Sequence, residues 1–302
     1  LSASAPSTSD QKQRGKAEQL FFNYKPSLDH GTTLRRCCAT CYFIIPSLSL
    51  LSQSQVTAIL FQEGRKKKVK EKKKLYRITR FDMASVPVVA SLADIYPHDA
   101  LAQQTSRWNA LYARFSSAYA GAVPAFVARS PGRVNIIGEH VDYSLYSVLP
   151  MAITADAIMA VSARPPSTTT TSSSPSTFKI RIGNVDDTRF PSREFVLDAG
   201  ADIEIDASAS EWTNYFKSGL RGALALLRQK AREAGQEFRP CDMDVIMDGT
   251  VPVGGGLSSS AAFVSASALA VMTANSQAPV DKKELTELAI VSERSVGVYS
   301  GG

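Results

Sequence analysis

VPVGGGLSSSAA, Val251 to Ala262, sets three consecutive glycines directly before a serine-rich helix start. Glycine lets the backbone approach a ligand closely and take positive φ, so that successive N–H groups turn toward one side. The helix that follows adds its own unpaired N–H groups and the positive end of its dipole. Such a loop is built to hold phosphate, and Ser258, Ser259 and Ser260 bring further hydroxyl donors. It lacks the Gly-Lys-Ser/Thr ending of a P-loop and the G-x-G-x-x-G spacing of a dinucleotide fold, so neither of those architectures follows from it. A glycine-rich turn that merely precedes an ordinary helix is the competing structural reading.

Upstream, RSPGRVNIIGEHVDY, Arg129 to Tyr143, gathers Arg133, Glu139, His140 and Asp142 in what reads as a glycine-containing loop after a strand. Loops carried on rigid strands are where binding groups concentrate. Taken singly, the arginine reads as a surface charge, the carboxylates as turn residues and the histidine as a satisfied core residue. Jointly they suit the reading of sugar hydroxyls: carboxylates accept from vicinal hydroxyls, and a misplaced hydroxyl leaves a buried partner unpaired.

Between and around these segments the periodicity is mixed. Trp108, Leu111, Tyr112, Phe115 and Tyr119 recur at three- and four-residue spacing and predict a helix over 104–120, followed by a strand at Pro124 to Ala128. Val148 to Ala163 is a long apolar run, expected as a buried strand or strand pair. Pro165 to Thr177 is Pro, Ser and Thr alone, with almost nothing to bury, and predicts a surface loop before a strand at Phe178 to Ile182. Trp212 to Ala234 predicts an amphipathic helix stopped by Gly235, and Met243 to Met247 a strand. A small-residue helix is expected over Ser259 to Ala274 and another from Asp281 to Val296, with Asp281 as its cap. Strands and helices in this order predict a two-layer α+β domain rather than a purely parallel sheet.

The chain has 302 residues, 44% of them apolar, and a formal charge of +6. The charge is unevenly spread: residues 1–82 hold 16 Lys and Arg against 6 Asp and Glu, leaving 18 against 22 in 83–302. The basic balance therefore belongs to one segment, and no nucleic-acid partner is expected. That segment contains the run RKKKVKEKKK, Arg65 to Lys74, lacks sustained periodicity, and precedes the first methionine, Met83. Residues 1–82 are accordingly expected to be a disordered or mis-annotated leader, and 83–302 the folded domain. Cys37, Cys38 and Cys41 cluster early and Cys241 stands apart, which gives neither a disulfide framework nor a zinc spacing. The apolar stretch Tyr42 to Leu51 is too short for a spanning helix, and the start has no secretory signal pattern, so no membrane role and a cytoplasmic location are expected.

Both polar segments resemble signatures of the small-molecule kinase superfamily that contains galactokinase, homoserine, mevalonate and phosphomevalonate kinases, called GHMP kinases. GRVNIIGEHVDY followed by SVLPMAI, Ser147 to Ile153, is similar to the galactokinase signature in particular. EWTNYFKSGL, Glu211 to Leu220, looks like the fungal branch of that family, as do SLYSVLP and VGVYSGG. The resemblance covers about residues 90–302. It implies the amino-terminal domain of the GHMP kinase fold and ATP-dependent phosphorylation of D-galactose at the C1 hydroxyl, with ATP and Mg²⁺ bound. It further implies that Arg133, Glu139, His140, Asp142, Ser300 and Gly301 contact the sugar, Arg133 also stabilising transition-state charge. Gly254, Gly255, Gly256, Leu257, Ser258, Ser259 and Ser260 would wrap the phosphates, Trp212 and Tyr215 would line the adenine site, and Ser259 with Glu293 would hold the metal. As buried aromatics on a helix, Trp212 and Tyr215 fit core packing equally well.

Family members continue past SVGVYSGG with Met-Asp-Gln, whose Asp is the expected catalytic base. The resemblance thus places that base, and the carboxy-terminal domain, beyond Gly302, and residues 1–302 alone are expected to be inactive. Two alternatives share the motifs. One is a galactose- and ATP-binding inducer paralogue that binds without turnover; its family typically lacks the Ser-Ala pair after the glycine loop, whereas SSSAA is complete here, which favours the enzyme, a bifunctional kinase that also binds a transcriptional repressor being the variant of that reading. The other is N-acetylgalactosamine kinase, which differs around the sugar C2 substituent.

Overall fold

Along the strand from Leu149 to Arg164, Ala157, Met159 and Val161 join one hydrophobic core while Ile158 and Ala160 join a second on the opposite face. That alternation is the two-residue period of a pleated strand buried on both sides, which is why the segment reads as a continuous apolar run. The computed structural model describes residues 43–46, 84–138, 141, 146–166 and 177–297, all within one unit that begins at Cys38.

Six strands form one sheet: β1 (Phe43–Pro46), β2 (Phe126–Ile137), β3 (Leu149–Arg164), β4 (Thr177–Asn184), β5 (Arg193–Asp198) and β6 (Asp242–Gly249). Their order is β1-β2-β3-β6-β4-β5, and every neighbouring pair is antiparallel except β4 and β6. A parallel pair needs a long crossover. Here β5 and the helix α2 (Asn214–Glu233) lie between β4 and β6 in the chain. Beyond β6 come α3 (Ser259–Asn275) and α4 (Lys282–Arg294), whereas α1 (Leu101–Ala118) precedes β2.

Helices α2, α3 and α4 pack on one face of the sheet. Phe216, Leu220 and Leu224 of α2 and Leu269 of α3 are fully buried in that core, each a burial worth about 1.5–3 kcal/mol. On the other face Trp108, Leu111 and Phe115 of α1 close over Val127, Ile158, Ala160 and Ile246. The α+β expectation of a sheet backed by helices holds for α2 to α4, and α1 adds a cover on the far side.

Most predicted elements lie where the periodicity puts them, with Asp281 capping α4 by accepting the Glu284 N–H at 3.0 Å. One expectation is corrected. Arg133 does not sit in a loop: β2 runs to Ile137, with Arg133 paired to Ala152 of β3. Register shifts between Pro131 and Arg133, and again between Asn135 and Ile137, bend the pair while keeping it hydrogen-bonded. Most of the Ser/Thr loop and of residues 1–82 lies outside the described residues.

Candidate active site

The glycine loop is pinned to the Arg133 strand backbone to backbone. The Arg133 N–H donates to the Leu257 carbonyl at 3.0 Å. Gly132 makes the approach possible: a Cβ there would lie 2.9 Å from that same carbonyl oxygen, 3.0 Å from Val251 Cγ1 and 3.1 Å from Ile153 Cδ1. The two segments singled out in the sequence therefore form one surface.

Within the loop Gly254 and Gly256 take φ of +74° and +70°, the conformations for which glycine is suited. Ser258, the residue before α3, takes +58° and makes no side-chain cap to the helix. The first-turn N–H groups of α3 are consequently not claimed by a capping hydroxyl, and the glycines beside them are exposed. Successive N–H groups at an uncapped helix start suit an anion.

The helix that presents this loop is held from several sides. From Val264 to Met272 every residue of α3 is buried, and most of them are small. Gly219 of α2 accounts for how close α2 comes: a Cβ there would meet Val264 O at 2.6 Å and Ala268 N at 2.8 Å.

Glu293 of α4 is 1% exposed and accepts a hydrogen bond from the Ser260 hydroxyl at 2.5 Å. Ser260 rather than Ser259 is thus the loop serine brought to this carboxylate. A carboxylate and a hydroxyl are hard oxygen donors, and Mg²⁺ usually takes one or two carboxylates plus phosphate oxygens and water. Among the described residues no group of three or more His, Cys, Asp or Glu forms a metal site. The Ser260–Glu293 pair fits a cation that draws the rest of its shell from phosphate.

Trp212 and Tyr215 are brought together through Phe263, which the sequence did not single out. Phe263 stacks on Trp212 at 6.1 Å and on Tyr215 at 5.8 Å between ring centroids, while Phe190 meets Trp212 edge-on at 5.9 Å. The indole N–H of Trp212 donates to the Pro191 carbonyl at 3.1 Å. Phe263 lies one helical turn into α3, so this half-buried aromatic group stands beside the glycine loop.

Asn135 also escaped the sequence reading. Its Oδ1 is buried without a hydrogen-bond partner, two residues along β2 from Arg133. Glu139, His140, Asp142, Ser300 and Gly301 lie outside the described residues.

Residues 113–163, which contain Arg133, match the family model described as the galactokinase galactose-binding signature, and residues 214–302, which contain the glycine loop, match that of the GHMP kinase N-terminal domain. Galactokinase of Saccharomyces cerevisiae is 43% identical over 196 residues, 63% of this chain and 34% of that one. Galactokinase of Candida parapsilosis is 41% identical over 197 residues, 65% of this chain and 36% of that one. The chain thus spans about a third of the length of these curated relatives. Galactokinase of Candida maltosa is 37% identical over 216 residues, 71% of this chain and 91% of that one. The crystal structure of Lactococcus lactis galactokinase complexed with galactose overlaps with a TM-score of 0.47 at 26% identity, over 64% of this chain and 44% of that one. With two signature segments folded onto one surface and a relative matched over nine-tenths of its length, the chain belongs to the galactokinase family.

Proposed function

We propose that this chain supplies the sugar- and nucleotide-binding portion of a galactokinase, which transfers the γ-phosphate of ATP to the C1 hydroxyl of D-galactose to give galactose 1-phosphate. The observation that carries the reading is the Arg133 N–H to Leu257 carbonyl bond over Gly132, which places a guanidinium-bearing strand against a phosphate-type loop.

In this reading the N–H groups of Gly254 to Ser260 cradle the phosphates, and the exposed glycines let them approach. Trp212, Tyr215 and Phe263 offer aromatic surface for the adenine. Glu139, His140, Asp142, Ser300 and Gly301 bind the sugar and aim its anomeric hydroxyl. Arg133 carries a fixed positive charge toward the phosphoryl group in flight, where little covalent chemistry is required of the protein and positioning with charge neutralisation does most of the work. Ser260 and Glu293 hold Mg²⁺, Ser260 replacing Ser259 as the hydroxyl ligand because it is the one that meets the carboxylate. When bound, the cation neutralises charge on the phosphate oxygens.

Cytoplasmic location accords with this activity, and no described helix is long and apolar enough to cross a membrane. The test is phosphorylation of galactose, N-acetylgalactosamine and glucose by the full-length gene product, beside its Arg133→Ala variant. Turnover of galactose alone, abolished in the variant, is the expected result. Galactose and ATP binding without turnover would identify a galactose sensor, and preferred turnover of N-acetylgalactosamine would reassign the substrate.

A further inference from the structure

Behind the two signature segments lies a buried ionic cluster. The Asp156 carboxylate of β3, 0% exposed, accepts from Arg107 Nη1 at 2.5 Å, from the Tyr96 hydroxyl at 2.6 Å and from Arg129 Nε. Arg107, reaching in from α1, also donates from Nε to the Asp248 carboxylate and from Nη2 to the Asp156 and Asp248 carbonyls at 3.2 and 3.3 Å. The Arg129 guanidinium lies 5.0 Å from the centre of the Tyr96 ring, and the Trp108 indole N–H donates to the Tyr96 oxygen at 3.2 Å.

The backbone of Asp156 is clamped as firmly as its side chain. Its N–H donates to Thr250 Oγ1 at 3.1 Å, and its carbonyl accepts from the Thr250 N–H at 2.9 Å. Thr250 is the residue between β6 and Val251, where the glycine loop begins. On the other side Asp156 opposes Pro131, the last pair before β2 and β3 change register. Past that point Arg133 opposes Ala152, so two steps along β2 correspond to four along β3. One residue thus fixes both the point where β6 releases the loop and the point where β2 turns toward Gly132 and Arg133.

Stability alone gives little reason to bury such charges. A buried ion pair roughly balances its desolvation cost, and apolar residues of similar volume often serve stability as well or better. Such a cluster does fix geometry, because displacing any member strands a buried charge. We propose that Arg107, Arg129 and Asp156 are positioning residues for phosphoryl transfer: through Thr250 and Pro131 they set the separation between the glycine loop and Arg133. None of them needs to touch substrate. This rests on the galactokinase reading above.

The experiment measures kcat, both KM values and the thermal midpoint of the full-length gene product and its Arg107→Gln, Arg107→Lys, Asp156→Asn and Thr250→Val variants. Arg107→Gln and Asp156→Asn are expected to lower kcat per folded molecule by ~10- to 100-fold, the scale of a misplacement of about 1 Å, with each KM within about twofold. Arg107→Lys is expected to recover part of that loss. Thr250→Val is informative even where buried-charge variants fail to fold, because Thr250 is exposed; it is expected to lower kcat about fivefold through the same misplacement. Thermal midpoints that fall while kcat per folded molecule stays at the wild-type value would overturn the positioning role. Absence of galactose phosphorylation by the wild-type protein would instead overturn the galactokinase reading. The cluster is then judged by affinity for N-methylanthraniloyl-ADP: weaker binding by Thr250→Val supports the inference, and unchanged binding sinks it.

Discussion

Ser258 stands at φ +58° without a cap to make, in a region that costs an L-residue about 1–2 kcal/mol. Glycine would avoid that cost while losing about 0.5–1 kcal/mol to its greater freedom when unfolded. Ser258→Gly is therefore expected to raise stability by about 0.5–1 kcal/mol, read as a higher urea midpoint, and Ser258→Val to lower it. Gly132 is the opposite case. An alanine Cβ would press on the Leu257 carbonyl, which as backbone cannot swing aside, so Gly132→Ala is expected to cost about 1–3 kcal/mol and to weaken nucleotide binding. Glu293→Gln keeps the shape of a buried side chain and its Ser260 partner but removes the charge that a cation requires. The expected result is a rise of ~10-fold or more in the Mg²⁺ concentration needed for half-maximal kinase activity, with little change in thermal midpoint. These residues were unequally legible. The glycines and serines of the loop announce themselves by type and spacing, whereas Ser260 could not be told from Ser259 until α4 brought Glu293 to one of them.

At the scale of elements, α3 carries the loop and shows why periodicity has limits. It is nearly uniform in its apolar and small residues, so it has no polar face to reveal, and from Val264 to Met272 it is buried because α2, α4 and the sheet surround it. Its small residues are what let α2 approach. In Gly219→Ala the new methyl meets Val264 O, Ser267 Cβ and Ala268 N, all under 3.0 Å. Overpacking at the upper end of about 1–3 kcal/mol exceeds the gain of about 1 kcal/mol in helix propensity, so a net loss of about 2 kcal/mol is expected in denaturant unfolding. Helices α1 and α2 were legible from their apolar spacing, and the start of α4 from the residue type of its cap, Asp281. The extent of β2 was not. Its polar half, Ser130 to Asn135, resembles a loop in composition and is a strand only because β3 pairs with it, a non-local fact. The same holds for β5, whose half-buried and exposed residues alternate but whose partner β4 lies across the Asp186 to Ser192 turn. The Asp156 cluster was invisible for the same reason: Arg107, Arg129, Asp156 and Asp248 are ordinary charges until four elements converge on them.

Across the whole molecule, both faces of the sheet must stay covered, and the face under α1 is held in part by two tyrosines that flank the helix, Tyr96 before it and Tyr119 directly after it, whose phenols are unusually weak acids. Burial, reinforced by Asp156, pushes the Tyr96 phenol up to about 12; burial, reinforced by Asp244, does the same for Tyr119. Both hydroxyls donate, Tyr96 to Asp156 at 2.6 Å and Tyr119 to the Val245 and Arg181 carbonyls at 2.9 and 3.1 Å, and a phenolate can do neither. The unfolded chain releases these protons near pH 10, the usual tyrosine value. The folded chain retains them longer, so their contribution is intact below about pH 10 and is lost as the pH rises through about 12. Each group is expected to remove on the order of 2 kcal/mol over that interval. Lysines also titrate there, so the informative quantity is a difference: the fall in urea midpoint between pH 9 and pH 11.5 for wild type, Tyr96→Phe and Tyr119→Phe. Each phenylalanine variant is expected to begin less stable at pH 9, because carboxylate or carbonyl acceptors lose a donor, and then to lose less on going to pH 11.5. Parallel pH curves for all three proteins would show that neither phenol holds its proton against the fold.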